Sequence, residues 1–435
     1  MIDYKPRNKK CVLAIAFLNY MTSVGGMSKY MLAHEKMYAN SGYTYMSIYF
    51  VKKIVKKKYP IFHFYGLIVD GKEIGVFTID DILSYFKELQ KRGYTINDVH
   101  IHNISYMNKN HMIRLADSLP ITPYKLILHD FHTICTNFNL LRNGTDFCGG
   151  SVISADKCNG CRYYKNAKLY ATNVAKVLQN VKNRLTVVAP SEIAGQIWLE
   201  AYPEFRDKVI LLTEQIWQGE YLGNRKQIDD KKSIVIGYLG NKSPHKGWNQ
   251  WASFVERANH RHNRYKCIVF NSQKDFDNAH MEHCPVRFTQ DNLNAMIFAL
   301  RKEMVDCAIL WSICPETYSY TLFEACSANV FILTNRNSGN IAYTVQKRGN
   351  GLVLSSEEEL YHLAENPEEL AEKINEARKK SAPGPETLID NTRFVGLTNS
   401  NQEFKVNYKK ANLLYRLEQK ILLKIVLRLS GFIKR

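Results

Sequence analysis

The chain has no internal repeat at a short period, few cysteines for its length and a shortage of acids. The missing repeat excludes solenoids and propellers. Ten cysteines in 435 residues do not make a secreted disulfide scaffold, and Cys11, Cys267, Cys307 and Cys326 lie in apolar runs as small hydrophobes. A reducing cytoplasm is the expected address. Lys9-Lys10 before the apolar run Cys11 to Leu18 has the look of a signal peptide, but the run is short and no small-x-small cleavage signal closely follows it. It leads instead into Ser23-Val24-Gly25-Gly26-Met27-Ser28 and an amphipathic stretch, Tyr30 to Tyr38, which reads as buried strand, glycine turn and helix. Acids number 41 against 59 Lys and Arg, a net charge of +18.

What is present supports two cores. The length exceeds the roughly 250 to 300 residues that one core organises, and hydrophobic residues make up 45% of the chain. Short β-rich runs alternate with helical ones: Tyr45 to Val51, Ile79 to Lys91, Val99 to Asn103, Asn110 to Ser118, Lys125 to His129, Ala167 to Asn180, Leu185 to Ala189 and Glu192 to Glu200. After the polar stretch Gly219 to Ser233 the alternation restarts, with strands Ile234 to Leu239, Tyr265 to Asn271, Cys307 to Leu310 and Val330 to Thr334. Helices Trp248 to Asn259, Leu293 to Arg301 and Thr321 to Ser327 separate them, and a last one starts at Asn366-Pro367. Such alternation predicts an α/β class of parallel sheets with crossover helices, here two Rossmann-like halves joined near residue 215. In that architecture ligands bind beyond the carboxyl ends of the strands, so the loops there are where function is sought.

Between Pro315 and Leu333 a loop, a helix and a buried strand carry two carboxylates, Glu316 and Glu324, eight positions apart. Free backbone N–H groups of Tyr320, Thr321, Leu322 and Phe323, with the positive end of the helix dipole, suit a phosphate, and the carboxylates can accept hydroxyl hydrogen bonds on either side. That combination describes a nucleotide-sugar site. The alternative is local: Thr321-x-x-Glu324 is also a capping box, in which Glu324 bonds back to its own helix start. With Ala325, a small-residue turn, Phe331 to Thr334 and the loop Asn337-Ser338-Gly339-Asn340, the segment resembles the Glu-x7-Glu region of the GT-B, family 4 retaining glycosyltransferases (glycosyl transferases group 1).

The resemblance extends to other loops. Gly240-Asn241-Lys242-Ser243-Pro244-His245-Lys246-Gly247-Trp248 is similar to the family's diphosphate loop, in which a Lys before Gly neutralises the leaving phosphate; Lys246 matches it. Asn241 departs from the commonest pattern, where an Arg adds a second charge, so the resemblance leaves that task to Lys246, the helix end at Tyr320 to Leu322 and Lys242. Gly25 and Gly26 permit close backbone approach to a ligand, with a helix N-terminus behind them. His100-Ile101-His102-Asn103 and Leu128-His129-Asp130 resemble the family's Val-His-x-His-Asn and Leu-His-Asp segments. The match implies His129 beside the donor sugar, with His102, Asn103 and Asp130 as acceptor-side candidates. It also implies that Glu316 binds donor-sugar hydroxyls and Glu324 the ribose, with Tyr318, Ser319, Tyr320, Thr321 and Leu322 completing the donor site. Catalysis by this family takes no metal, so no cofactor is expected beyond the nucleoside-diphosphate sugar itself. Separately, Cys135-x12-Cys148-x9-Cys158-x2-Cys161 has metal-ligand spacing, and four thiolates suit a structural zinc, with free thiols as the alternative and a disulfide pair less expected in a cytosol.

The expected division is 1–215 for an acceptor domain with a Cys-rich loop at 135–161, 216–400 for a nucleotide-sugar domain, and 401–435 for a crossover and a basic amphipathic helix. From Lys405 to Arg435 there are nine Lys or Arg against the single acid Glu418. Arg416, Lys420, Lys424 and Arg428 recur every four residues, while Leu414, Leu417, Ile421, Ile425, Leu429 and Phe432 form another face. Such a helix suits an anionic membrane surface, and part of it is also a candidate for packing on the first domain. Lys52, Lys53, Lys56, Lys57 and Lys58 form a second basic patch. The expectation is a cytoplasmic, peripheral-membrane hexosyltransferase extending a lipid-linked glycan for a surface polysaccharide. Two rivals stand beside it: a nucleotide-sugar epimerase on the same fold, which would need neither acceptor nor membrane tail, and a nucleic-acid-binding module. The latter is not expected, because the charge concentrates on the tail without interleaved stacking motifs.

Overall fold

The computed structural model describes residues 2–23, 25–51, 63–150, 152–223, 225–229, 233–261, 263–288, 292–398 and 404–429. Lys10–Ala16 buries six residues in succession, the pattern of a strand covered on both faces, and it lies inside an eight-stranded sheet. Across that sheet the strands run Val209–Leu211, Leu185–Ala189, Tyr124–Ile127, Thr95–Ile101, Lys10–Ala16, Tyr43–Phe50, Tyr65–Val69 and Lys72–Phe77. The first six are parallel. The last two are antiparallel, a correction to the purely parallel expectation. Asp70 and Gly71, with φ of 51° and 70°, make the tight turn of this edge hairpin. Because its strands follow one another without a helix between them, the alternation rule did not detect it.

The second sheet is wholly parallel, in the order Glu282–Pro285, Tyr265–Asn271, Ile234–Leu239, Cys307–Ile309, Phe331–Asn335 and Gly351–Leu354. In each sheet the chain reverses its direction of travel beside the first strand: Lys10–Ala16 lies between Tyr43–Phe50 and Thr95–Ile101, and Ile234–Leu239 lies between Tyr265–Asn271 and Cys307–Ile309. Such switch points open crevices at the carboxyl ends of the strands. All the loops singled out above leave from those ends.

Apolar side chains fill both faces of both sheets. Between the sheets, Gln215–Gln218 pairs antiparallel with Thr387–Asp390. The chain then returns to the first domain: Phe394 packs edge-on to Tyr30, and Thr398 Oγ1 donates to Asp98 Oδ2 at 2.9 Å. Val406 and Tyr408 enter the first core, and the Tyr408 hydroxyl donates to Asp80 at 2.8 Å. Helix Leu413–Leu429 follows. It seats Leu423 and leaves Leu413, Leu414, Leu417, Ile421 and Ile425 exposed, Leu414 to 75%. No helix among the described residues is long and apolar enough to cross a membrane. The lysines at 52, 53, 56, 57 and 58, and Phe432, lie outside the described residues.

Candidate functional site

The loop after Ile234–Leu239 folds into a single 3-10 turn, Pro244–Lys246, which fixes the direction of Lys246. It is tied to the loop after Cys307–Ile309 by the Ile313 N–H, which donates to His245 O at 3.0 Å. Glu316 is held by a bridge to Gly339: its N–H donates to Ser338 O at 3.3 Å and its carbonyl accepts from Asn340 N–H at 3.0 Å. Gly339 has a φ of 63°, and a Cβ there would stand 2.7 Å from Pro315 Cα, so the position requires glycine. Lys246 Nζ donates to Glu316 Oε1 at 3.0 Å. The Glu316 charge outweighs partial desolvation and holds the Lys246 ammonium above its ordinary pKa.

Helix Tyr320–Ser327 is capped by Ser319, whose Oγ accepts from Leu322 N–H at 3.3 Å. The capping-box alternative is thereby corrected. Thr321 lies inside the helix, its hydroxyl 3.1 Å from Ser319 Oγ, and Glu324 does not turn back to the helix start. Instead Glu324, 2% exposed, accepts from Lys29 Nζ at 2.9 Å across the cleft, and its Oε2 has no partner among the described residues. With Phe323 N–H bonded to Ser319 O at 3.4 Å, Tyr320 and Thr321 remain as the backbone donors ahead of the helix. Leu322 is a core side chain. Tyr318 is too: it stacks on Phe323 at 4.6 Å and donates its hydroxyl to Gln215 Oε1 at 3.3 Å.

From the first domain, helix Gly26–Asn40 starts after Gly25, whose φ of 152° is strained for any other residue. A Cβ on Gly26 would lie 3.5 Å from the Tyr320 ring, so the glycine loop and the second carboxylate segment meet directly. His129 is engaged on both ring nitrogens: Nε2 is 2.9 Å from His102 Nδ1, and Nδ1 is 3.4 Å from Glu214 Oε1. Tyr45 OH lies 3.2 Å from His102 Nε2. The contacts are satisfied in one direction, Tyr45 donating to His102, His102 to His129 and His129 to Glu214. His102 is fully buried and stacked on His129 at 5.2 Å, and burial pushes its pKa well down, with His129 adding to the effect. Asn103, also buried, donates to Asp130 Oδ2 at 2.8 Å. Asp130 Oδ1 accepts from the His132 N–H and ring; burial alone would raise the Asp130 pKa, but the His132 contacts outweigh it and hold the carboxyl low. His102, Asn103 and Asp130 thus brace the His129 loop.

Several residues at this junction carried no sequence signal. Thr317 Oγ1 donates to His129 O at 2.7 Å, and Ser191 Oγ to Thr317 O at 2.8 Å, which straps one domain to the other. Glu214 lies in the linker, where no motif marks it; its Oε2 lacks a partner among the described residues. It acts on Tyr320, whose phenol pKa is pushed well up by desolvation first and by that carboxylate's charge second. Lys29, three positions past Gly26, is the other. Asn241 contributes its carbonyl to Tyr238 OH at 3.2 Å, and Lys242, exposed, stands over the Trp248 ring at 5.1 Å.

The four loop cysteines, Cys135, Cys148, Cys158 and Cys161, are free thiols that line one cavity with Ile134, Leu140 and Val152. Asn137 N–H donates to Cys135 Sγ at 3.4 Å, and Cys161 N–H to Cys158 O at 3.0 Å. Burial first and neighbouring thiols second raise the pKa of Cys135 and Cys148. The donor set fits a soft cation. Among the described residues no three such side chains converge closely enough to form a metal centre as they stand.

No protein-family model matches the sequence, and no curated protein does. Solved structures do. A sucrose-phosphate synthase from Thermosynechococcus elongatus matches with a TM-score of 0.52 at 10% identity, over 86% of this chain and 95% of that one. Anabaena HepE in complex with UDP-glucose matches at 0.48 and 12% identity, over 85% and 93% of the two chains. WaaG, a glycosyltransferase involved in lipopolysaccharide biosynthesis, matches at 0.48 and 13% identity, over 85% and 96%. At such identities the likeness is one of fold: two α/β domains in the GT-B arrangement.

Proposed function

We propose that this GT-B chain is a retaining glycosyltransferase that moves a sugar from a nucleoside-diphosphate sugar to a glycan acceptor. The observation that carries the reading is the pair Glu316 and Glu324 on either side of the N-terminus of helix Tyr320–Ser327, with Lys246 bonded to Glu316 at 3.0 Å. A diphosphate placed at that end meets backbone N–H groups, the helix dipole and an ammonium. Glu316 then faces the sugar hydroxyls and Glu324 the ribose. In the transfer step the bond from the anomeric carbon to the phosphate oxygen breaks and one to the acceptor oxygen forms on the same face. The acceptor proton passes to the departing phosphate. Positive charge grows on the sugar and negative charge on the diphosphate, so the chain's contribution is electrostatic and positional. Lys246 and the helix end supply that charge in this reading, without a catalytic metal.

The acceptor in this reading is a lipid-linked glycan of a surface polysaccharide, handled on the cytoplasmic face of the membrane. Supporting it is helix Leu413–Leu429, whose exposed Leu413, Leu414, Leu417, Ile421 and Ile425 are interleaved with Arg416, Lys420, Lys424 and Arg428. An anionic bilayer offers both apolar depth and negative headgroups to such a surface. A structural zinc on Cys135, Cys148, Cys158 and Cys161 would order the loop behind His129. Donor turnover tests the central assignment: UDP-, GDP- and ADP-glucose are incubated with the full chain and nucleoside diphosphate release is followed. Wild type is expected to turn over one of them and Glu316→Ala to lose at least about 100-fold, the scale of one transition-state charge contact. Undiminished turnover by Glu316→Ala would remove the assignment.

A further inference from the structure

The donor site read above has one cation where a diphosphate calls for more. Within the loop Gly240–Gly247, Asn241 is neutral and the exposed Lys242 stands over the Trp248 ring at 5.1 Å. His245 is bonded to Ser243 Oγ at 2.8 Å, and burial first, then Lys246, holds its pKa below the ordinary imidazole value. Lys246 itself already shares its charge with Glu316.

A second ammonium is nevertheless present, on the other domain. Lys29 lies in the first turn of helix Gly26–Asn40, three residues past Gly26, where a Cβ would lie 3.5 Å from the Tyr320 ring. Its Nζ is 2.9 Å from Glu324 Oε1 and 4.4 Å from the centroid of the Tyr320 ring, the first residue of the helix whose N-terminus faces the cleft. The Lys29 side chain is 16% exposed, so its charge is only weakly screened by water. Its carboxylate partner is nearly buried and has its second oxygen, Oε2, unpartnered among the described residues. An unpartnered carboxylate oxygen in such a place is costly unless a ligand hydroxyl reaches it.

Resting on the donor-site reading, we propose that Lys29 is the second diphosphate-binding cation of this chain, delivered from the first domain in place of the charge that Asn241 lacks. Glu324 holds the ammonium at the helix end when the site is empty. Nucleotide entry gives Glu324 Oε2 a ribose hydroxyl and gives Lys29, which has three donors, a phosphate oxygen. Two cations, Lys246 and Lys29, then approach the diphosphate from opposite domains, so leaving-group stabilisation depends on the domains being together. The competing role for Lys29 is a latch that does nothing but neutralise Glu324, and the two roles predict opposite signs.

Calorimetric titration of the full chain with UDP, GDP and ADP, each beside its nucleoside, separates them. With the nucleotide that wild type binds, Lys29→Met is expected to weaken diphosphate affinity about tenfold or more, one charge-assisted contact being worth that much. Nucleoside affinity should stay level or rise, and Lys29→Arg should recover most of the loss. Lys29→Met should also lower kcat for donor hydrolysis more than it raises KM, which a packing role would not do. Unchanged or tighter diphosphate binding by Lys29→Met would assign the latch role and overturn the proposal. Should Lys29→Met not fold, Lys29→Gln, which keeps a polar head, replaces it under the same criteria. If Lys246→Ala abolishes binding while both Lys29 variants bind like wild type, the donor site stands and this inference alone falls. If wild type binds no nucleotide, both fall.

Discussion

At the residue scale the site is a set of side chains each held by a second one. His129 shows why this matters. Its two nitrogens are spoken for by His102 and Glu214, so ring orientation is set before any sugar arrives. That order depends on the surrounding imidazoles staying neutral. Burial lowers the pKa of His34, His100 and His102 well below the ordinary value, His100 to about 3. In the unfolded chain each would titrate near ~6.5, so as pH falls below that value the unfolded state takes up protons that the folded state refuses. Their contribution is complete above ~6.5 and is lost downward through the window, on the order of 1 kcal/mol per pH unit for each histidine. The melting temperature should therefore drop steadily from pH 7 to pH 5. A melting temperature that holds or rises across that range would mean that these imidazoles accept protons in the folded chain. Part of this scale was legible: Glu316 and Glu324 were marked by their spacing, Lys246 and His129 by family resemblance, and the structure brings their loops to one cleft. Lys29 and Glu214 were not, because their meaning comes from contacts 295 and 85 positions away, which no local pattern records.

At the element scale, periodicity performed best where burial is two-sided. The strands Leu185–Ala189, Ile234–Leu239 and Tyr265–Asn271 and the helix Ile79–Lys91 fall where the apolar pattern puts them. It performed worst at the edges. Tyr65–Val69 is wholly buried but turns straight into Lys72–Phe77 without a helix, while Lys72–Phe77 and the short pair Gln215–Gln218 with Thr387–Asp390 are partly exposed or joined by distant pairing, so neither alternation nor a helix flags them. In the proposed function the helix Leu413–Leu429 serves a membrane surface and the cysteine loop a zinc ion. Removing residues 413–435 should leave nucleotide binding intact and reduce flotation with vesicles of 30 mol% phosphatidylserine, roughly tenfold or more from the buried apolar area and basic residues together. Equal flotation of the truncated chain would take the membrane away from that helix. For the loop, about one zinc per chain should be found by elemental analysis of protein purified without chelator, and none in Cys158→Ser/Cys161→Ser. Zinc absent from wild type would leave the four thiols as a hydrophobic lining.

At the scale of the whole molecule, the two domains are joined three ways. A linker strand pairs with Thr387–Asp390, the returning chain sets Phe394 against Tyr30, and polar contacts cross the cleft at Thr317–His129, Ser191–Thr317, Lys29–Glu324 and Glu192–Tyr343. These four cleft contacts are polar and exchangeable, which in the proposed function would let the domains part for a nucleotide sugar and meet again around it. The return of residues 404–411 to the first core, through Val406, Tyr408 and Asp80, fixes the base of the tail helix to that domain. A membrane-bound tail would thus place the first domain, not the second, nearest the lipid.

The central claim is a nucleoside-diphosphate site at the helix end between Glu316 and Glu324. Thermal unfolding of the purified chain with UDP, GDP, ADP and CMP tests it most directly. One diphosphate at about 100 times its Kd should stabilise the protein by roughly 2.7 kcal/mol, with the shift lost in Lys246→Ala. No shift with any nucleotide, or one that survives Lys246→Ala unchanged, would contradict the account.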